Sequence, residues 1–194
     1  SFSPFSVDDG KWGNYFDGVD DYLYFASDAS FAPGTGDFSV EGFVNFSSLP
    51  SSGDVYVVLQ NDSGGTSSND KFWFGLFNNS GTYLLALGRH STSDRGTTPW
   101  TPSLGQWYHI AAVRESGVVK LFIDGVSQSV TGSTSLNGVT FNQGGCSIGL
   151  LTPSDFLDGY LSNVRYVVGT AVYTTDFDEP SAPLTDITNT VLLT

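Results

Sequence analysis

With 194 residues, 39% of them hydrophobic and 14% aromatic, the chain can bury a substantial core, and all-β sandwiches of this length are routinely one unit. Twenty acids against seven bases give a net charge of −13, which excludes nucleic acid and an anionic membrane surface as partners, because both require clustered Lys and Arg. Charged residues make up 14%, below the usual ~25%, so Ser, Thr, Asn and Gly must form much of the surface. The single cysteine, Cys146, rules out an internal disulfide and reads as a small buried hydrophobe. No stretch approaches the ~20 apolar residues of a membrane span. Lacking a disulfide, a signal peptide and an initiating methionine, the chain reads as a segment of a longer bacterial or phage protein.

Taken in order, short alternating runs punctuated by 23 glycines and 8 prolines predict strands and turns with almost no helix. Phe2 to Trp12 is a lead-in. Asn14 to Phe25 predicts a strand, a turn at Asp17-Gly18 and a second strand. Ser27 to Pro33 is a connector of one helical turn with Phe31 as its plug. In Asp37 to Phe46, Phe38, Val40 and Val44 share one face, and Ser39, Glu41 and Asn45 the other. Val55 to Gln60 and Lys71 to Asn78 flank a polar loop, and Tyr83 to His90 follows a turn at Asn79-Ser80-Gly81. Ser91 to Leu104 reads as a second long irregular stretch. Gln106 to Val126 is a hairpin that turns at Glu115-Ser116-Gly117 and ends at Asp124-Gly125. Its side chains are apolar at nearly every position, which predicts a place in the middle of a sheet covered on both faces. Beyond a Ser/Thr-rich stretch, Val139 to Phe141, Cys146 to Leu150 and Phe156 to Val168 are strands, with Asp158-Gly159 read as a turn. A Pro-broken tail ends in a short strand, Val191 to Leu193. The whole predicts an all-β, two-sheet antiparallel β-sandwich with jelly-roll connections, a single domain over residues 1–194.

Five segments together carry a resemblance: Asn14 to Leu23 (NYFDGVDDYL), Asp37 to Glu41 (DFSVE), Trp107 to Ala111 (WYHIA), Leu121 to Gly125 (LFIDG) and Asp158 to Arg165 (DGYLSNVR). In that order and spacing the chain resembles the concanavalin A-like lectin/glucanase superfamily, and within it the laminin-G-like jelly-roll domains. The tail from Thr170 through Thr190 is similar to domains in tail-fibre and other structural proteins of marine phages and bacteria. The resemblance implies a scaffold, with Trp107, Phe38 and Leu161 filling the core. It does not imply one activity, since such superfamilies hold lectins, hydrolases, adhesins and spacers.

The chemistry-bearing residues narrow the choice. Glycosidases need two carboxylates facing each other across the scissile bond, and the three glutamates, Glu41, Glu115 and Glu179, are not paired along any strand. The expectation is therefore a protein that is not an enzyme. Gly145 to Gly149 fits G-x-S-x-G by letter, but Leu150-Leu151-Thr152-Pro153 cannot start the helix that motif requires. Neither His90 nor His109 has a partner at zinc-ligand spacing, and His109 beside Trp107 reads as a hydrogen-bonded core residue. Calcium takes six to eight oxygens. Asp17, Asp20 and Asp21 could provide some, and Asp155 and Asp158 would join them if the terminal strands run side by side; the same aspartates equally suit turn caps. Sugar binding needs an aromatic face and planar polar groups. The two long loops and their flanks offer Asn69, Asp70, Trp73, Arg89, His90, Asp94, Arg95 and Trp100, with Trp100 expected to be the exposed ring.

The sequence thus predicts a non-catalytic recognition or adhesion module for cell-surface carbohydrate, carried by a phage or bacterial surface structural protein in a virion or at the cell exterior. The alternative is an architectural domain that packs against other virion or surface subunits, copies of itself included. Exposure of Phe43 or of Tyr166 to Val168 would favour it. A glycoside hydrolase, degenerate or active, comes third.

Overall fold

A computed structural model describes residues 13–62 and 70–194; the lead-in to Trp12 and the stretch 63–69, with Asn69, lie outside them. The first half of the chain forms β1 (Asn14–Asp17), β2 (Leu23–Phe25), β3 (Phe38–Phe46), β4 (Val55–Gln60), β5 (Phe72–Asn79), β6 (Thr82–Arg89) and β7 (Arg95–Pro99). The second half forms β8 (Trp107–Glu115), β9 (Val118–Ile123), β10 (Val126–Ser127), β11 (Cys146–Ile148), β12 (Asp158–Val168) and β13 (Thr190–Leu193). A seven-stranded sheet runs β1-β12-β3-β8-β9-β10, with β13 also on β12, and a six-stranded sheet runs β2-β11-β4-β5-β6-β7. All pairings are antiparallel, and the non-sequential neighbours β12–β3 and β11–β4 are the jelly-roll crossovers.

The sheets close on the inward side chains that strand alternation dictates. Phe38, Val40, Val44 and Phe46 of β3 face Phe72, Phe74 and Leu76 of β5 and Leu85 and Leu87 of β6. Phe38 stacks on Phe72 at 4.6 Å, and Phe141 meets both edge-on. Each such ring contributes about 1.5–3 kcal/mol through burial. Phe31 is a buried plug on a single 3-10 turn, Ala29–Phe31, capped by the Asp28 side chain, which accepts from Ser30 N–H.

Over β3, β8 and β9 the outer face of the seven-stranded sheet is covered by the tail. Tyr173 and Phe177 stack at 3.7 Å and pack on Ala111, Val113 and Phe122. Ser39 Oγ donates to Thr170 O and accepts from Val172 N, stitching the tail to β3. Beneath this strap Glu41 is fully buried, ion-paired to Arg165, hydrogen-bonded by Tyr173 at 2.7 Å and by His109 Nε2 at 3.0 Å. His109 is thus a buried, hydrogen-bonded residue.

Several local expectations change. Residues 14–25 give two strands, but β1 joins one sheet and β2 the other. The hairpin holds the middle of the sheet through its first strand, β8, which lies between β3 and β9 and is buried along most of its length, whereas β9 is followed only by the two-residue β10. Asp158-Gly159 is no turn: it opens β12, where a Cβ on Gly159 would sit 2.2 Å from Asn45 O. Part of the supposed irregular stretch is β7, and Val139 to Phe141 contributes only the isolated bridge Gly34↔Phe141. Trp107 is half-buried on the outer face beside Tyr160, not in the core, because its row is the one shared with His109 and Ala111.

Candidate functional site

A groove of about 600 Å³ opens on the outer face of the six-stranded sheet. Its floor follows from alternation on β5. Phe72, Phe74 and Leu76 belong to the core, so Trp73 and Phe77 project the other way, onto a small apolar cluster with Val55, Val57, Ala86 and Leu151. The register lines Gln60, Trp73, Gly88 and Arg95 in one row across β4, β5, β6 and β7. Gly88 makes the row work. A Cβ there would lie 2.4 Å from Trp73 Cζ2, so the indole packs directly onto bare backbone and is 5% exposed. Phe77 meets Trp73 edge-on at 6.2 Å, and the Arg95 guanidinium lies 4.8 Å above the Phe77 ring, a cation–π contact worth roughly 0.5–1 kcal/mol.

Two loops raise the walls. One is the β6–β7 turn, held by Arg89 N–H to Asp94 O and by Arg89 Nη1 to Asp94 Oδ2 at 3.1 Å. The other, Leu151 to Pro153, follows β11 and is stitched by Leu151 N–H to Asp155 O. Asp62 also lines the groove, buried and paired with Lys71 Nζ at 2.6 Å. Beneath lies a polar chain. Gln60 Nε2 donates to Ser147 Oγ and to the Leu150 carbonyl, which leaves Gln60 Oε1 to accept from His90 Nε2 at 3.0 Å. His90 therefore carries its proton on Nε2 and keeps Nδ1 as an acceptor. Burial pushes its pKa below the ordinary histidine value, with Asp62 opposing, so the ring is neutral at neutral pH.

Of the residues singled out by sequence for sugar binding, Trp73, Arg89, His90 and Arg95 line this one groove. Asp70 precedes β5 and is not part of the lining. Trp100 is corrected: Trp100 N–H bonds Tyr83 O, and the ring turns in against Tyr108 at 5.2 Å and Phe46 at 6.1 Å instead of standing exposed. The sequence reading missed Phe77, although its spacing of four from Trp73 on a strand already put both on one face. It also missed Leu151 to Pro153, which reach the groove only through the non-local β11–β4 pairing.

Elsewhere, Asp17, Asp20 and Asp21 are exposed and offer carboxylate oxygens within 4.8 Å of one another. Asp17 pairs in register with Asp158, which brings the amino- and carboxyl-terminal acids to neighbouring strands. Asp17 Oδ1 accepts from Val19 N–H at 2.8 Å and Asp20 N–H at 3.3 Å, and these backbone bonds hold its carboxyl below the usual range. Asp155 stands apart, bound to Thr152 Oγ1 at 2.5 Å. In the G-x-S-x-G stretch, Ser147 is buried on β11, and burial pushes the Cys146 thiol up to about 12. Ser147 thus sits in a strand and not on a nucleophile elbow.

Residues 17–170 match the family described as the concanavalin A-like lectin/glucanases superfamily. No curated protein matches the sequence. Among solved structures, a putative carbohydrate binding protein from Bacteroides ovatus ATCC 8483 is 14% identical, with a TM-score of 0.66 over 94% of this chain and 50% of that one. A native heptameric SAP-like pentraxin from Limulus polyphemus is 18% identical, with a TM-score of 0.58 over 79% of this chain and 74% of that one. Tailspike protein 2 from the Escherichia coli O157:H7 bacteriophage CAB120 is 14% identical, with a TM-score of 0.54 over 81% of this chain and 22% of that one. At these identities the likeness is one of fold. The chain spans half of the first of these proteins and about a fifth of the tailspike.

Proposed function

The chain belongs to the concanavalin A-like lectin/glucanases superfamily, and from that premise we propose that it is a non-catalytic module that binds carbohydrate in the groove over Trp73 and Phe77. The observation that carries the reading is the joining, on rigid strands, of an apolar aromatic floor to the polar groups of Arg89, His90 and Arg95. Sugar rings present an apolar face and a rim of hydroxyls, and such a groove complements both. The non-catalytic part is supported by where the glutamates lie. Glu41 is enclosed by Arg165, His109 and Tyr173, Glu115 pairs with Lys120 at 2.5 Å, and none of the three is among the groove-lining residues. Asp62, which does line it, is tied to Lys71.

A single shallow site of this kind binds at ~0.1–1 mM, or ~4–5 kcal/mol, so useful adhesion comes from repetition of the module on a parent structure. A surface or virion protein provides that repetition, and the folds of the tailspike and of the Bacteroides protein are consistent with such a setting. Screening the protein at high valency on a glycan array tests the reading: discrete hits are expected. A blank array combined with self-association in light scattering would favour subunit packing instead.

Calcium at Asp17, Asp20 and Asp21 is the accompanying reading, since three clustered carboxylates suit a hard cation. It predicts a higher thermal midpoint in calcium than in chelator. Equal midpoints would leave these aspartates as turn caps alone.

A further inference from the structure

The protein is strongly acidic, yet its partly exposed arginines stand together in the groove. Of the seven basic residues, Lys11 lies outside the described residues. Arg114 is buried and donates to the carbonyls of Gly34, Gly36 and Val139. Arg165 is buried on Glu41 and Thr185 O, Lys71 is buried on Asp62, and Lys120 pairs with Glu115. Arg89 and Arg95 remain, and both line the groove. Arg89 is shared with Asp94, whose side chain is 40% exposed. Arg95 has no carboxylate within ion-pair distance among the described residues, and the Phe77 ring beneath it fixes its position. With Lys71 and Arg89 matched by Asp62 and Asp94, and His90 neutral, the groove retains one unmatched positive charge, on Arg95.

We propose that the groove selects an acidic sugar, a carboxylate-bearing unit of the uronic- or sialic-acid class, with Arg95 as the partner of the carboxylate. A guanidinium packed over a ring donates from its edge, where the two oxygens of a planar carboxylate are both within reach. The partly exposed apolar side chains of Phe77 and Leu151 then lie beneath the rest of the same sugar, and His90 Nδ1 accepts from a hydroxyl. The net charge of −13 works against heavily charged polyanions and leaves a singly charged, sparsely spaced acid as the better match. This assignment rests on the carbohydrate reading of the groove and specifies its ligand.

The test is an array of sialylated and uronic-acid glycans, each printed beside its methyl ester and beside a sulfated counterpart, probed with multivalent wild-type protein, Arg95→Gln and Lys120→Gln. The free acids should bind about tenfold more tightly than their esters. Arg95→Gln should erase that preference while lowering the thermal midpoint by no more than the few degrees that loss of the Phe77 contact implies, and Lys120→Gln should retain it. Equal binding of acid and ester, or a preference for sulfate, overturns the assignment while the carbohydrate reading stands. Binding to none of the three overturns the assignment, and only a blank on neutral glycans as well removes the carbohydrate reading.

Discussion

Gly88 shows how one residue without a side chain sets the shape of the groove. From sequence, a glycine inside a strand reads as a weak position. In the folded protein it is the space that the Trp73 indole occupies from the neighbouring strand. Gly88→Ala forces the ring outward or distorts the sheet, and overpacking of this kind costs about 1–3 kcal/mol. Urea unfolding should register that loss, and glycan binding should fall with it, because the displaced ring intrudes on the floor. A variant with wild-type stability would mean that the indole is not seated against this backbone. Trp73 itself was legible in the sequence as a candidate, whereas its being flush with the sheet was not, since that depends on a residue 15 positions along the chain.

At the level of elements, alternation made the strands readable and left their partners hidden. β3 carries the lesson. Its inward row, Phe38 to Phe46, follows from the pattern, but the burial of Glu41 on the outward row comes from a strap some 130 residues later. Periodicity is local and cannot report that cover. The same limit applies to residues 14–25, where two strands were evident but their division between two sheets was not. The Glu41 cluster yields a pH prediction. Burial raises the carboxyl's pKa, but hydrogen bonds from His109 and Tyr173 and the charge of Arg165 outweigh it, so the folded value lies below the ordinary 4.5. The unfolded chain then binds the proton more readily. The stability this group contributes is present above pH 4.5 and is lost as pH falls from there through the folded value. Glu41→Gln should cost about 3–5 kcal/mol at neutral pH by leaving Arg165 buried without its counter-charge. Its acid-unfolding profile should lack the wild-type decrement below pH 4.5; a parallel profile would show that Glu41 is not the ionised partner.

Across the whole molecule the two outer faces differ in how they are covered. The tail closes much of one, and the groove opens on the other. Phe43, Tyr166 and Val167, whose exposure would have favoured a packing role, are buried, and Val168 is partly so. An exposed aromatic row does exist on the seven-stranded sheet, where Tyr15 at 53% and Tyr160 at 41% exposure align in register with Asn45 and Trp107. The sequence reading placed Trp107 in the core and so missed that row. The three tryptophans among the described residues separate the two faces. Trp73 reports the groove, Trp107 the opposite sheet, and Trp100 the core contact with Tyr108. The most direct measurement is therefore the indole N–H region of a nitrogen-edited NMR spectrum during titration with an array-selected glycan. Groove binding predicts that the Trp73 signal moves with saturation while those of Trp100 and Trp107 hold still. A shift of Trp107 with Trp73 unmoved would contradict it and transfer the site to the other face.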